Sequence, residues 1–398
     1  MKILKAKYIL TCDESFKILQ NHAIIFDDKI QKIQPISQLK IRSNDEIINV
    51  PLAMPALINA HTHLEYSANK AYLDFNGFTN WLKSVFLSRG ILAKKLSAKI
   101  LQNQINKMLK SGVGCVGEYS SFGLDLELLA ASPLRARFYC EILGTNENFL
   151  ENSWANFLNR FKQAQACQSP KFGLGVAVHS PYSTHKILAL KAINLAKELN
   201  LPLSAHFAES KDELDFLNGE NSDLKGVLEM INPKIQALYS PDEFLKMFDK
   251  ENTLFIHCVH AEKYLANIAH IAHCPRSNRF LSQGILPLLK AKKHANIALG
   301  TDGLSSNYNL DIWDEMRAAL MIHANADINE LSKLLLCMAT SGGAKALKIN
   351  SGEIKIGKNA DIATFALPAG SKIERLAPDL ILHTKKAKSL FIGGKKIF

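Results

Sequence analysis

Short apolar runs recur through the middle of the chain, at Met54–Ala60, Val113–Glu118, Ala136–Leu143, Phe172–His179, Leu201–His206, Thr253–Cys258, His270–His273 and Ala295–Gly300. Each is too short for a buried helix and lacks strict polar alternation, which predicts strands covered on both faces. Amphipathic helical stretches lie between several of them, at Ala93–Ser111, Thr184–Asn200 and Asp212–Glu229. Strand–helix alternation repeated about eight times predicts parallel strands with crossover helices, closed into a barrel at this length. The expected class is therefore α/β, a (β/α)8 TIM-type barrel over residues 54–349.

The two ends follow a different pattern. Ile3–Thr11, His22–Phe26 and Lys29–Gln34 are β-rich with polar turns such as Asp27-Asp28, and Gly352–Gly357, Asp361–Phe365 and Ser389–Phe398 read as further short strands. Segments 1–53 and 350–398 are accordingly expected to form one small β-sandwich built from both termini.

Composition adds little to this picture but removes alternatives. The chain of 398 residues is 47% hydrophobic and 21% charged, the balance of a globular protein with a large core. No apolar run reaches the roughly 18–20 residues of a bilayer span. The stretch after Met1–Lys7 lacks the sustained apolar region of a signal peptide, so a cytoplasmic protein without a membrane partner is expected. The net charge of +11 is spread over scattered lysines, with short clusters at Lys94-Lys95, Lys292-Lys293 and Lys385-Lys386 and no interleaved aromatics. That argues against a nucleic-acid partner and leaves room for an anionic small molecule. The seven cysteines form no CxxC pair and read as free thiols.

Candidate chemistry sits where the predicted strands end, the position at which barrel enzymes place reactive groups. The first run ends in His61-Thr62-His63, whose i, i+2 spacing on a strand points both imidazoles to one face. Later runs end in His206, His257 and Asp302. A lone buried histidine is more often a hydrogen-bonded core residue than a ligand. Five such residues at the ends of strands in one predicted barrel instead suit a metal site. His260-Ala261-Glu262 looks like part of a nucleic-acid deaminase signature, but no P-C-x-x-C follows it.

The segments Pro55–His63, Val178-His179-Ser180-Pro181-Tyr182, His206-Phe207-Ala208-Glu209, His257-Cys258, His273–Asn278, Gly300–Gly303 with Ser306-Asn307, and Gly352–Asp361 together resemble the amidohydrolase superfamily, in its deaminase branch. The resemblance implies one divalent metal ion, zinc or iron(II), held by His61, His63, His206 and Asp302. No counterpart of the bridging lysine of two-metal members is found near Glu118 or Glu141. It further implies that Glu209 shuttles protons, that His257 orients the attacking water, and that Asp302 also accepts a proton. His179, Glu65, Trp81 and Ser306 would contact a purine nucleoside substrate. The stretch His63-Leu64-Glu65-Tyr66-Ser67 is most similar to the group of menaquinone-pathway enzymes that hydrolyse 6-amino-6-deoxyfutalosine to futalosine. Deaminases of S-adenosylhomocysteine, methylthioadenosine, adenosine or guanine, chlorohydrolases and a non-catalytic binding barrel remain alternatives. Related enzymes often associate, which makes a homodimer the assembly to expect.

Overall fold

The computed structural model describes residues 1–69 and 72–398. The chain starts with β1 (Lys2–Leu10), β2 (Ile18–Phe26), β3 (Ile30–Pro35) and β4 (Glu46–Pro55). The first three pair antiparallel, and β4 returns parallel to β1. The barrel follows as β5 (Leu57–Thr62), β6 (Val113–Ser120), β7 (Arg135–Ile142), β8 (Phe172–Val178), β9 (Leu203–Phe207), β10 (Thr253–His257), β11 (His270–His273) and β12 (Asn296–Leu299). These eight are hydrogen-bonded in sequence order, each parallel to the next. The chain closes with β13 (Ile362–Phe365), β14 (Ser389–Ile392) and β15 (Lys395–Lys396), and β13 pairs antiparallel with β4. Both termini thus meet in one seven-stranded unit beside the barrel, as the patterning predicts.

Small residues line part of the barrel interior. Ala60, Ala177, Ala272 and Ala298 leave room for Tyr119 and Tyr139, stacked with centroids 4.7 Å apart. Ala344, Ala346 and Leu347 of the segment after β12 pack against the same cluster. The seam between β12 and β5 closes at the end that carries the histidines. Thr301 N and Asp302 N both donate to His61 O at 3.0 Å, and Asn59 Nδ2 donates to Thr301 Oγ1 at 2.7 Å.

Several boundaries differ from expectation for local reasons. The run Met54–Ala60 is two strands, because Pro55 has no N–H to extend a ladder and the chain changes sheets at Ala56. The stretch Ala93–Ser111 also divides. One helix covers Phe78–Lys95, and a second covers Ala98–Ser111 behind Ser97, whose side chain accepts from Ile100 N. Asp212–Glu229 breaks at Gly219 (φ +73°) into helices Lys211–Leu217 and Asp223–Glu229. Gly352–Gly357 forms no strand, since both glycines take positive φ. An unanticipated helix, Leu376–His383, buries Leu376, Leu380 and Ile381.

Candidate active site

Strand ends bring the predicted residues together. His61 lies on β5 with His63 just beyond it, His206 on β9 and His257 at the end of β10. Asp302 follows β12 after the two-residue link Gly300-Thr301. Asp302 Oδ1 stands 3.6 Å from His61 Nε2 and 3.8 Å from His63 Nε2, while its Oδ2 is 3.8 Å from His257 Nε2. The chain bends sharply here. Ala208, His257, Cys258 and Asp302 all have φ between +49° and +65°, strain of a kind that concentrates at functional sites.

Hydrogen bonds fix which ring nitrogen each histidine presents. Nδ1–H of His63 donates to Tyr119 O at 3.0 Å, that of His206 to His179 O at 2.8 Å, and that of His257 to Asn278 Oδ1 at 2.8 Å. In each case Nε2 is left with its lone pair facing the centre, the arrangement typical of ligating histidines. His61 is the outlier: both its ring nitrogens are buried without a hydrogen-bond partner. A buried orphan of this kind is costly unless something else occupies its lone pair. Burial holds the His61 imidazole down at about 3 and depresses His206 strongly, so both rings are neutral at pH 7, as metal ligation requires. Ligand atoms of His61, His63 and Asp302 lie within 4.8 Å of one another, as do those of His61, His206 and His257, and imidazoles with a carboxylate are a donor set that suits a divalent ion. Asp302 is fixed in orientation by Gly303 N on Oδ1 and by Ser277 Oγ and Ser306 Oγ on Oδ2, all at 2.7 Å.

Glu209 is buried, with Oε1 3.5 Å from His257 Nε2. Burial and then the nearby Asp302 charge push its carboxyl well above the usual range. Glu213 steadies the turn that presents it, accepting from Ala208 N and Glu209 N at 2.9 Å each.

Above these residues opens a cavity of about 900 Å³, including its mouth. His63, His179, His206, Glu209, His257 and Asp302 line one part of it, and Trp81, Leu82, Phe86, Leu143 and Tyr182 give it apolar walls. Trp81 is anchored by Nε1 to Ser305 O at 2.7 Å, and His179 Nδ1 lies 2.6 Å from Ser183 Oγ. Two expected substrate contacts sit elsewhere. Ser306 stands behind Asp302 rather than on the cavity wall. Glu65 also misses that wall, because its carboxylate accepts the amides of Ser121 (2.7 Å), Phe122 (3.0 Å) and Leu124 (2.9 Å). Sequence reasoning gave no role to Ser277 and Asn278, although both lie in the His273–Asn278 segment that signalled the family. It passed over Arg89, Phe122 and Leu143 entirely, since exposed or apolar loop and helix residues carry no distinctive pattern.

A match to the Amidohydrolase family spans residues 52–397. The chain is 37% identical to the aminodeoxyfutalosine deaminase of Nitratiruptor sp., covering 100% of this chain and 99% of the relative. It is 36% identical to an adenosine deaminase of Helicobacter pylori, with the same coverage of 100% and 99%. The crystal structure of Helicobacter pylori aminofutalosine deaminase in complex with methylthio-coformycin superposes with a TM-score of 0.94 at 34% identity, covering 100% of both chains. With the barrel, the strand-end histidines and these full-length similarities in agreement, the chain belongs to the amidohydrolase family.

Proposed function

We propose that the protein hydrolytically deaminates an adenine nucleoside derivative, with 6-amino-6-deoxyfutalosine as substrate and futalosine as product, a step of menaquinone formation in the cytoplasm. The observation that carries this reading is the buried Glu209 carboxyl, raised by burial and set 3.5 Å from His257 beside the cavity. Hydrolysis of a ring C–N bond needs a group that takes a proton from water and returns it to the ring, and a buried carboxyl whose hold on a proton is raised above the ordinary suits both tasks. The full-length relatives named for deamination support the same reaction.

His61, His63, His206 and Asp302 would hold the ion, zinc or iron(II). When bound, it would supply a Lewis acid that acidifies water near neutral pH. Glu209 then removes a proton from the attacking water and delivers it to the ring nitrogen next to the amino-bearing carbon. His257, fixed by Asn278, aims its Nε2 at the same space and orients the water. Asp302, held by Ser277 and Ser306, accepts the second water proton, which passes on to the amino nitrogen so that it leaves as ammonia. His179 and the walls built by Trp81 and Tyr182 place the purine and exclude bulk water.

The test joins metal analysis to an ultraviolet assay of adenine-to-hypoxanthine conversion, run on aminodeoxyfutalosine and on adenosine. Turnover of the former with about one bound metal per chain is the expected result. Absence of turnover on every adenine nucleoside would overturn the reaction. Faster turnover of adenosine would overturn only the substrate and favour the activity named for the Helicobacter pylori relative.

A further inference from the structure

Behind the His63 turn stand two fully buried carboxyls, Glu118 on β6 and Asp125 at the start of the short helix Leu126–Ala131. Glu118 Oε1 accepts Leu64 N at 2.7 Å, and Asp125 Oδ1 accepts Ser120 Oγ at 2.7 Å. Their second oxygens, Oε2 and Oδ2, receive no N–H or O–H from any other described residue. The two side chains are instead hydrogen-bonded to each other.

Two carboxylates cannot bond to one another without a proton between them. No lysine or arginine among the described residues forms an ion pair with either. Like charges side by side, away from water and without a cation, leave one carboxyl protonated. Burial, and then the Asp125 charge, push Glu118 well above the usual carboxyl range, which puts the proton on Glu118.

This pair reaches His63 through the backbone. Leu64 follows His63 directly, and Tyr119, whose O accepts His63 Nδ1 at 3.0 Å, follows Glu118 directly. Adjacent residues of β6 therefore grip the turn twice, once on the imidazole and once on the amide after it. Outer hydrogen bonds of this kind set how a ligating histidine is aimed.

We infer that Glu118 is a positioning residue for the metal centre, a neutral acid that donates to Asp125, accepts from Leu64 N and thereby holds His63 in place. The inference rests on reading His63 as a metal ligand.

The experiment follows zinc loss to a chelator at neutral pH from the zinc-loaded wild type, Glu118→Gln, Glu118→Asp and Asp125→Ala, with circular dichroism as the check on folding. Glu118→Gln keeps an acceptor for Leu64 N and a donor for Asp125, so its rate should stay within about twofold of wild type. Glu118→Asp keeps the acid but is one methylene short of spanning both partners. It should lose zinc about 10–100-fold faster, the usual cost of disturbing a ligand's outer partner. Excess zinc should restore its kcat, which a general packing defect would not allow. Asp125→Ala should also release zinc faster, and it decides the matter if Glu118→Asp does not fold. Infrared spectra give a second readout, in which the carbonyl band of one protonated carboxyl should vanish from wild type to Glu118→Gln. Folded variants that all keep the wild-type rate would overturn the positioning role and leave the metal site standing. Zinc loss from Glu118→Gln as fast as from Glu118→Asp, or an unchanged carbonyl band, would overturn the shared proton. A wild type that takes up no zinc would instead refute the metal-site reading itself.

Discussion

Oε1 of Glu209 stands 3.5 Å from Nε2 of His257, both side chains buried and both aimed at the space that Asp302 also faces. Glu209→Gln keeps the shape and removes the proton carrier. Its kcat should fall by about 10²–10⁴-fold, the usual contribution of a positioned acid–base group. Metal content by mass spectrometry should match wild type, because Glu209 is not among the expected ligands. A loss smaller than about tenfold would take the proton-shuttle role away from Glu209.

Stability should carry the signature of a second buried carboxyl. Burial raises Glu213 to about 7, although the amides of Glu209, Ala208 and Ser210 pull the other way. The folded protein therefore holds a proton that the unfolded chain has released, and this term favours folding most below pH 4.5. It is lost as pH rises through about 7. The difference amounts to about 3 kcal/mol across that window. Denaturant unfolding from pH 4.5 to 8 should show Glu213→Gln gaining on wild type as pH rises. A constant offset between the two would show that Glu213 is ionised throughout.

Gly300 tests how tightly the seam of the barrel is built. A Cβ there would lie 2.7 Å from His61 Cβ, 3.0 Å from His61 O and 3.1 Å from Cys274 Sγ. Gly300→Ala should cost about 1–3 kcal/mol as an overpacked substitution, and by displacing His61 it should also weaken zinc retention on dialysis. Gly226→Ala, where nothing lies within 4 Å, serves as the control and should leave both properties intact. Equal zinc retention in the two variants would break the link between the seam and the metal site.

Where the chemistry is carried by spacing, the chain could be read directly. His61 and His63 share a face because they are two apart on a strand, and His206, His257 and Asp302 were found because apolar runs stop at or just before them. The helix holding Trp81 and Arg89 was harder to place, since it presents Leu87 and Ile91 to solvent and blurs its own apolar stripe. The setting of Glu65 is hidden for a deeper reason. Whether its carboxylate meets a ligand or the amides of a loop depends on a segment 56 residues away. Patterning near Glu65 cannot report how that distant loop is folded. The change of sheet at Ala56 was likewise hidden, because an apolar run looks the same whether it crosses one sheet or two.

The bonds that close the barrel also set when the enzyme can come into being. Asn59 and Thr301, paired through the side chain of the former, are 242 residues apart, and the proposed ligand set needs both ends of that interval. A nascent chain still lacking its last barrel strand would have His61 and His63 in hand but no Asp302 to complete the set. Metal capture should therefore come late in synthesis, after the final strand has emerged, so a stalled ribosome would carry no competent centre.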